Sequence, residues 1–150
     1  MNLHVMLDRG AYMPTRAHET DAGLDLYSRD NRIIPPGGSA TFDTGVHVEV
    51  PTDPLHVGFL MSKSGLNVKY GLTSTGVIDA GYTGSIVVKL YNHGGRCVEI
   101  KAGQKISQLV ILPVSAPTPV LVDSLGQTER GCGGFGSTGD FAEAQEADGC

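Results

Sequence analysis

The sequence predicts an all-β fold, an antiparallel jelly-roll-like barrel, on three observations. First, 21 glycines and eight prolines are spread through 150 residues. The longest stretch free of both, Leu24 to Ile34, is eleven residues, which leaves no room for a bundle of long helices. Second, apolar side chains recur at period two, the signature of half-buried strands. Third, the periodic runs are separated by clusters of turn-forming residues. Hydrophobic residues make up 40% of the chain, enough to bury one core at this length.

The elements follow in chain order. Met1 to Arg9 alternates polar and apolar residues and lacks the apolar block of a signal peptide. Pro35-Pro36-Gly37-Gly38 marks a turn. Val46-His47-Val48-Glu49-Val50 sets three valines on one face and stops at Pro51. Ser64 to Tyr70 is one of two segments with the pattern of a short helix; Phe141 to Ala147 is the other. Ala80-Gly81 reads as a turn. Beyond it Ile86, Val88 and Leu90 alternate with Val87, Lys89 and Tyr91, up to the turn Asn92-His93-Gly94-Gly95. Ile106 to Val114 and Val120 to Leu125 are further apolar runs, so the barrel is expected over residues 1–125. From Gly126 the composition changes. Residues 131–139 hold five glycines, and residues 140–150 hold four acidic and no basic residues. Such chain has little to bury and much backbone freedom, so 126–139 is expected to be a mobile Gly-rich arm and 140–150 a disordered acidic tail.

Charge and composition narrow the function classes. Eleven basic residues against 16 acidic give −5, which argues against a general nucleic-acid or membrane-surface binder but permits a local anion site. No run of eighteen apolar residues is present, so no membrane-spanning helix is expected. Cys97, Cys132 and Cys150 form an odd, widely spaced set without CxxC, as expected of reduced thiols in a cytoplasmic protein. The five histidines are scattered and suggest no metal cluster.

Four segments carry candidate chemistry. Gly131-Cys132-Gly133-Gly134-Phe135-Gly136 matches GxGxxG, yet the sequence has no acidic residue about twenty positions on, as a dinucleotide fold needs. It fails as a P-loop too, because Ser137 stands where the lysine belongs. What remains is a strip of backbone donors flanked by Arg130, Ser137 and Thr138, the groups phosphate oxygens prefer. A flexible polar tail is the competing reading. Asp79 lies inside Gly76-Val77-Ile78-Asp79-Ala80-Gly81-Tyr82-Thr83-Gly84, where it is either a turn former or a general base beside a phosphate. Asp25 is flanked by Leu24 and Leu26, unusual for a surface aspartate; it either caps a turn or stands near a metal–phosphate complex. Lys63-Ser64-Gly65 joins a cation, a hydroxyl and an open amide, and a solvated strand end is the plain alternative.

Taken together, these segments resemble one family, the trimeric dUTP diphosphatases (dUTPases). Five motifs stand in that family's order and spacing: Ala22 to Leu26, Lys63 to Leu66, Gly76 to Gly84, Gly103 to Gln108, and Arg130 to Gly139. The resemblance implies conversion of dUTP and water to dUMP and pyrophosphate by attack at the α-phosphorus. Asp79 would be the base. Tyr82 would lie against the deoxyribose and reject UTP, while main-chain groups near Gly76, Val77 and Ile78 on one arm and Val87 on the other would read uracil. Mg²⁺ held by the phosphates would meet Asp25 through water. Ser64, Gly65 and Gln108 would contact phosphate oxygens, with Lys63 beside them. Arg130, Gly136, Ser137 and Thr138 would close over the γ-phosphate and Phe135 would stack on the base. A cytoplasmic homotrimer with sites at subunit borders is implied.

Two positions depart from the family pattern. Ser62-Lys63 replaces the usual Pro-Arg, which keeps the charge but loses the planar fork. Thr73 stands where many bacterial members have Asn. The enzyme rival, dCTP deaminase, shares the fold but lacks this pairing of the Asp79 segment with a complete Arg130 to Gly139 arm. The non-enzyme rival, a regulatory interaction protein like some viral relatives, is expected to carry an inserted segment, and none stands out here.

Overall fold

The structure, a computed structural model, describes residues 2–134. Eleven strands and one short helix fill the first compact unit, Met1–Ala116. In chain order they are β1 (His4–Leu7), β2 (Gly23–Tyr27), β3 (Arg32–Ile34), β4 (Ser39–Asp43), β5 (Val46–Glu49), β6 (His56–Ser62), α1 (Ser64–Tyr70), β7 (Leu72–Thr73), β8 (Thr75–Ile78), β9 (Val87–Asn92), β10 (Val98–Ile100) and β11 (Lys105–Pro113). Every ladder is antiparallel, as the fold class requires. Four small sheets share the strands, in the orders β2-β11-β6-β8, β4-β9-β7, β1-β5 and β3-β10.

The period-two runs become the core. Val46, Val48 and Val50 are buried, as are Ile86, Val88 and Leu90, with Val87, Lys89 and Tyr91 facing out. The helix covers the predicted segment and ends at Gly71 in the left-handed conformation, φ 70°. In the four-stranded sheet Leu24, Leu60 and Leu109 are cross-strand neighbours, and the last two are buried. Each fully buried leucine contributes about 1.5–3 kcal/mol, so a one-residue slip of β11 would expose this face and is strongly disfavoured. That fixed register in turn fixes which residues share the outer face.

The second unit, Pro117–Cys150, has neither helix nor strand over residues 117–134. Val120 to Leu125 therefore forms no strand, and the compact barrel unit ends at Ala116 rather than at 125. The apolar run held three prolines just before it (Pro113, Pro117 and Pro119), each lacking the N–H a ladder needs. The predicted helix at 141–147 and the tail over 140–150 lie outside the described residues.

Candidate active site

Register places the motif residues of β2 and β11 side by side, next to β6. Gln108 of β11 pairs with Asp25 of β2 on one side and with Met61 of β6 on the other. All three project from the face opposite the leucines. Gly23 makes room for this packing: a Cβ there would stand 2.6 Å from Gln108 Oε1. Gln108 Nε2 donates to the Ser62 carbonyl at 3.2 Å. A pocket of about 340 Å³ opens over this face, bordered by Asp21, Asp25, Lys63, Lys105 and Gln108.

Asp25 is its electrostatic centre. Its side chain is 6% exposed, and each oxygen meets an ammonium at 2.6 Å: Oδ1 faces Lys63 Nζ and Oδ2 faces Lys105 Nζ. Burial disfavours the charged carboxylate, but the hydrogen bonds from Lys105 and Lys63 together outweigh it and hold the group below the usual aspartate range. The hydrogen bond to Asp25 raises Lys105 in the same way. Asp25 is thus a buried anion between two cations, and Asp21 at the pocket's border balances their excess charge.

Lys105 is the partner that sequence reasoning missed, although it lies inside the fourth motif. Counting alternate residues back from outward Gln108 turns Lys105 inward. The ladder shifts between Lys105 and Ser107, so Ile106 and Ser107 are both fully buried and Lys105 emerges opposite Tyr27, on the face of Asp25. A bulge has re-aimed the side chain.

A second feature arises where the chain changes sheets. Leu72 and Thr73 pair with Asn92 and Tyr91 of β9, but Thr75 to Ile78 leave to pair with Met61 to Gly58 of β6. Ser74, at the branch, is locked by hydroxyls. Its N–H donates to Ser62 Oγ at 2.9 Å, its carbonyl accepts from that hydroxyl at 3.0 Å, and its own Oγ lies 3.0 Å from Ser107 Oγ. Ser107 Oγ donates to the Met61 carbonyl, which leaves the Ser74 hydroxyl as donor of the serine pair. No ladder joins β8 to β9 among the described residues. Their facing edges, near Gly76 to Ile78 and Val87, therefore keep main-chain donors and acceptors outside any ladder. Val77 and Val87 are exposed there. Thr73, at the closed end of the gap, is hydrogen-bonded to His93 Nε2 at 2.9 Å.

Asp79 and Tyr82 occupy the connection between β8 and β9. The Tyr82 N–H donates to the Asp79 carbonyl at 3.1 Å, closing a tight turn whose third residue, Gly81, has φ 89°. The Tyr82 ring folds over Gly84, where a Cβ would lie 2.4 Å from its hydroxyl oxygen, and that hydroxyl donates to the Ser85 carbonyl at 3.0 Å. Asp79 is exposed and has no ion-pair partner among the described residues. Neither Asp79 nor Tyr82 borders the Asp25 pocket. Ser64 and Gly65 follow Lys63 at the start of α1, both exposed. Arg130 lies in the second unit, where its Nε donates to the Gly133 carbonyl at 2.9 Å. Phe135, Gly136, Ser137 and Thr138 lie outside the described residues.

The oxygen donors could meet a divalent cation only in part. No group of three or more His, Cys, Asp or Glu side chains forms a metal cage among the described residues. The ionised Asp25 carboxylate nevertheless keeps a lone pair on each oxygen, which suits a hydrated hard cation whose other ligands come from elsewhere. No helix is long and apolar enough to cross a membrane among the described residues.

Comparison with known proteins agrees with these motifs. The protein-family model for dUTPase matches residues 9–139. The deoxyuridine 5'-triphosphate nucleotidohydrolase of Clostridium tetani is 41% identical over 137 residues, covering 89% of this chain and 93% of the relative. That of Nocardia farcinica is 41% identical over 140 residues, covering 91% and 84%. Among solved structures, a variant of the Staphylococcus bacteriophage 80alpha dUTPase with dUpNHpp superposes with TM-score 0.85 at 32% identity, covering 93% of this chain and 99% of that one. A variant of the phage phi11 dUTPase, in which a structural Mg(II) ion is coordinated, gives 0.75 at 32% identity and covers 83% and 98%.

Proposed function

The chain belongs to the dUTPase family, and we propose that it hydrolyses dUTP to dUMP and pyrophosphate, keeping uracil out of DNA and supplying dUMP for thymidylate synthesis. The observation that carries the mechanism is the Asp79 carboxylate, exposed and without an ion pair among the described residues, at the mouth of the β8–β9 gap. Uracil enters the gap edge-on, and main-chain groups of Gly76 to Ile78 and of Val87 pair with its polar edge. Cytosine, with donor and acceptor exchanged, leaves those groups unpaired and is rejected. Tyr82, held by its bond to the Ser85 carbonyl, fills the space a 2′-hydroxyl needs.

Asp79 accepts a proton from water as the water oxygen bonds to the α-phosphorus and the α–β bridging bond breaks. The electron pair of that bond leaves with pyrophosphate. Lys63, Lys105, Ser64, the Gly65 amide and Gln108 supply positive charge and hydrogen bonds to the phosphates, since this reaction needs positioning and neutralisation above all. Asp25 would hold Mg²⁺ through water, and the ion, when bound, neutralises phosphate charge. The family match extends through residue 139, which supports a closing role for Arg130, Phe135, Gly136, Ser137 and Thr138.

Since Asp79 and Tyr82 do not border the Asp25 pocket of their own chain, we assign the complete site to subunit borders of a homotrimer. The free thiols of Cys97 and Cys132 suit a cytoplasmic enzyme. The test is to incubate pure protein with each dNTP and UTP in the presence of Mg²⁺. Pyrophosphate from dUTP alone is expected; ammonia from dCTP, or no pyrophosphate, would overturn the reading.

A further inference from the structure

The turn that carries Asp79 and Tyr82 packs Ala80 against the core, but its hydrogen bonding to the rest of the barrel is sparse. Among the described residues, the only hydrogen bond between positions 79–84 and another element is the one that His47 Nδ1 donates to the Thr83 carbonyl, 2.8 Å. His47 stands on the outer face of β5, opposite Met6 of β1. Its other nitrogen, Nε2, faces Asp8 Oδ1 at 3.2 Å. Both partners are pure acceptors. A neutral imidazole has one N–H, so it satisfies one of them and turns a lone pair on the other; an imidazolium satisfies both.

We propose that His47, as an imidazolium, is a positioning residue for the Asp79 turn, gripping the Thr83 carbonyl with one nitrogen and Asp8 with the other. The proposal rests on the reading of Asp79 and Tyr82 as substrate-facing groups, because only then does the placement of this turn affect turnover. The surroundings favour the cation. Asp8 follows β1 and Asp43 ends β4, with the Arg29 guanidinium between them, 3.8 Å from Asp8 and 3.0 Å from Asp43. Glu49, two residues along β5, is taken by His4 of β1 at 2.6 Å. The bond to Thr83 first, and Asp8 and Asp43 beside it, raise His47 above the ordinary histidine value despite the opposing effect of burial.

The sign follows from that direction. With its folded value raised, both bonds are made below the ordinary histidine range; as pH climbs through the raised value one N–H is lost, the Asp8 carboxylate, the stronger acceptor, keeps the other, and the Thr83 carbonyl loses its donor. The descending arm stays anchored throughout: the Ser85 hydroxyl donates to Asp43, and Ile86 bonds to Thr44 and Val46. Loosening is therefore confined to residues 79–84, between the end of the β8 ladder at Ile78 and the Ser85 anchor.

The experiment follows kcat for dUTP against pH, together with ¹⁵N relaxation of residues 79–84 in the substrate-free protein. Wild type should lose kcat as the His47 imidazolium, followed by its own ring resonances, deprotonates. His47→Ala should lower kcat roughly tenfold, with KM changed far less, because misplacing a catalytic group by even an ångström is costly. His47→Gln, which donates to Thr83 without titrating, should recover part of that loss and abolish the alkaline decline. Asp8→Asn should keep wild-type kcat and also lack the decline, because a neutral Nδ1–H tautomer then satisfies both neighbours. A His47→Ala enzyme with wild-type kcat and the same decline, or a turn equally rigid across the His47 titration, would overturn the proposal. If the turn loosens with His47 but no form hydrolyses dUTP, the tether stands and the hydrolytic reading falls.

Discussion

Asp25 and Asp79 stand in regions built on opposite plans. Asp25 sits on a sheet face whose register is fixed by buried leucines, with an ammonium on each oxygen. Asp79 sits on a turn whose hydrogen bond to another element comes from a histidine, exposed and without an ion pair among the described residues. A carboxylate held by two cations is poorly basic and well placed, which suits an electrostatic anchor. A carboxylate left free can take a proton, at the cost of depending on its loop for placement. On the proposed reading, one residue type is given two tasks by its surroundings, and the two can be damaged independently.

The sharpest way to separate them is Asp79→Asn. Asparagine keeps the shape but cannot accept the water's proton, and removing a general base costs about 10²–10⁴ in rate. We expect kcat to fall within that range, dUTP affinity to change only a few-fold and Tm to hold, since no partner in the fold is lost. Calorimetry with a non-hydrolysable analogue checks affinity, and near-normal kcat would move the base elsewhere.

Ending the chain after Glu129 probes whether a third region joins these two. Among the described residues the last strand ends at Pro113, so removing 130–150 should leave unliganded Tm unchanged. A guanidinium–phosphate contact plus aromatic stacking is worth about 2–4 kcal/mol, on the order of 30- to 1,000-fold in rate. We expect kcat/KM to drop at least about tenfold; full activity would remove Arg130 and Phe135 from the site.

What the sequence made legible divides along the same line. The inward valines, the Ser64–Tyr70 helix and the turns at 35–38, 80–81 and 92–95 were readable because period and turn chemistry are local. The motif glycines were readable as motifs, but not the reason for Gly23, which is the Gln108 side chain crossing its Cα. Lys105 was hidden by a bulge, which resets alternation without any residue type announcing it. His47 and Thr83 were hidden by distance: thirty-six positions separate them, and no pattern in either segment names the other. Val120 to Leu125 misled because an apolar run counts as strand only if a partner edge is available.

Tyr82→Ala tests the open region for selectivity apart from chemistry. Its ring is the proposed steric filter at C2′, and its loss should raise UTP turnover relative to dUTP by roughly tenfold, the worth of a small apolar contact. The ratio of kcat/KM for the two nucleotides measures it. An unchanged ratio would leave Tyr82 as a brace for Ser85 and nothing more.

The smallest effect is expected at Lys63, and it sharpens the account of the closed region. Lys63→Arg introduces a planar fork able to engage both oxygens of Asp25, but Lys105 already holds Oδ2. The two cations would then compete for one oxygen while the total charge stays constant. Activity should therefore remain within about threefold of wild type, because electrostatics at the phosphates depend on charge more than on which cation holds Asp25. The informative quantity is the coupling between positions. In the parent chain Lys105→Met strips one of two ammoniums from a buried carboxylate and should lower the midpoint of urea denaturation. It should also move the acid limb of unfolding upward, since Asp25 stabilises the fold above its unfolded pKa and that stability is lost as pH falls through its depressed folded value. With arginine at position 63 the same change should cost measurably less, because the fork takes over the vacated oxygen. Equal costs in the two backgrounds, read from urea denaturation at neutral and acidic pH, would mean that Lys63 and Lys105 act independently and that Asp25 is not the shared centre of the site.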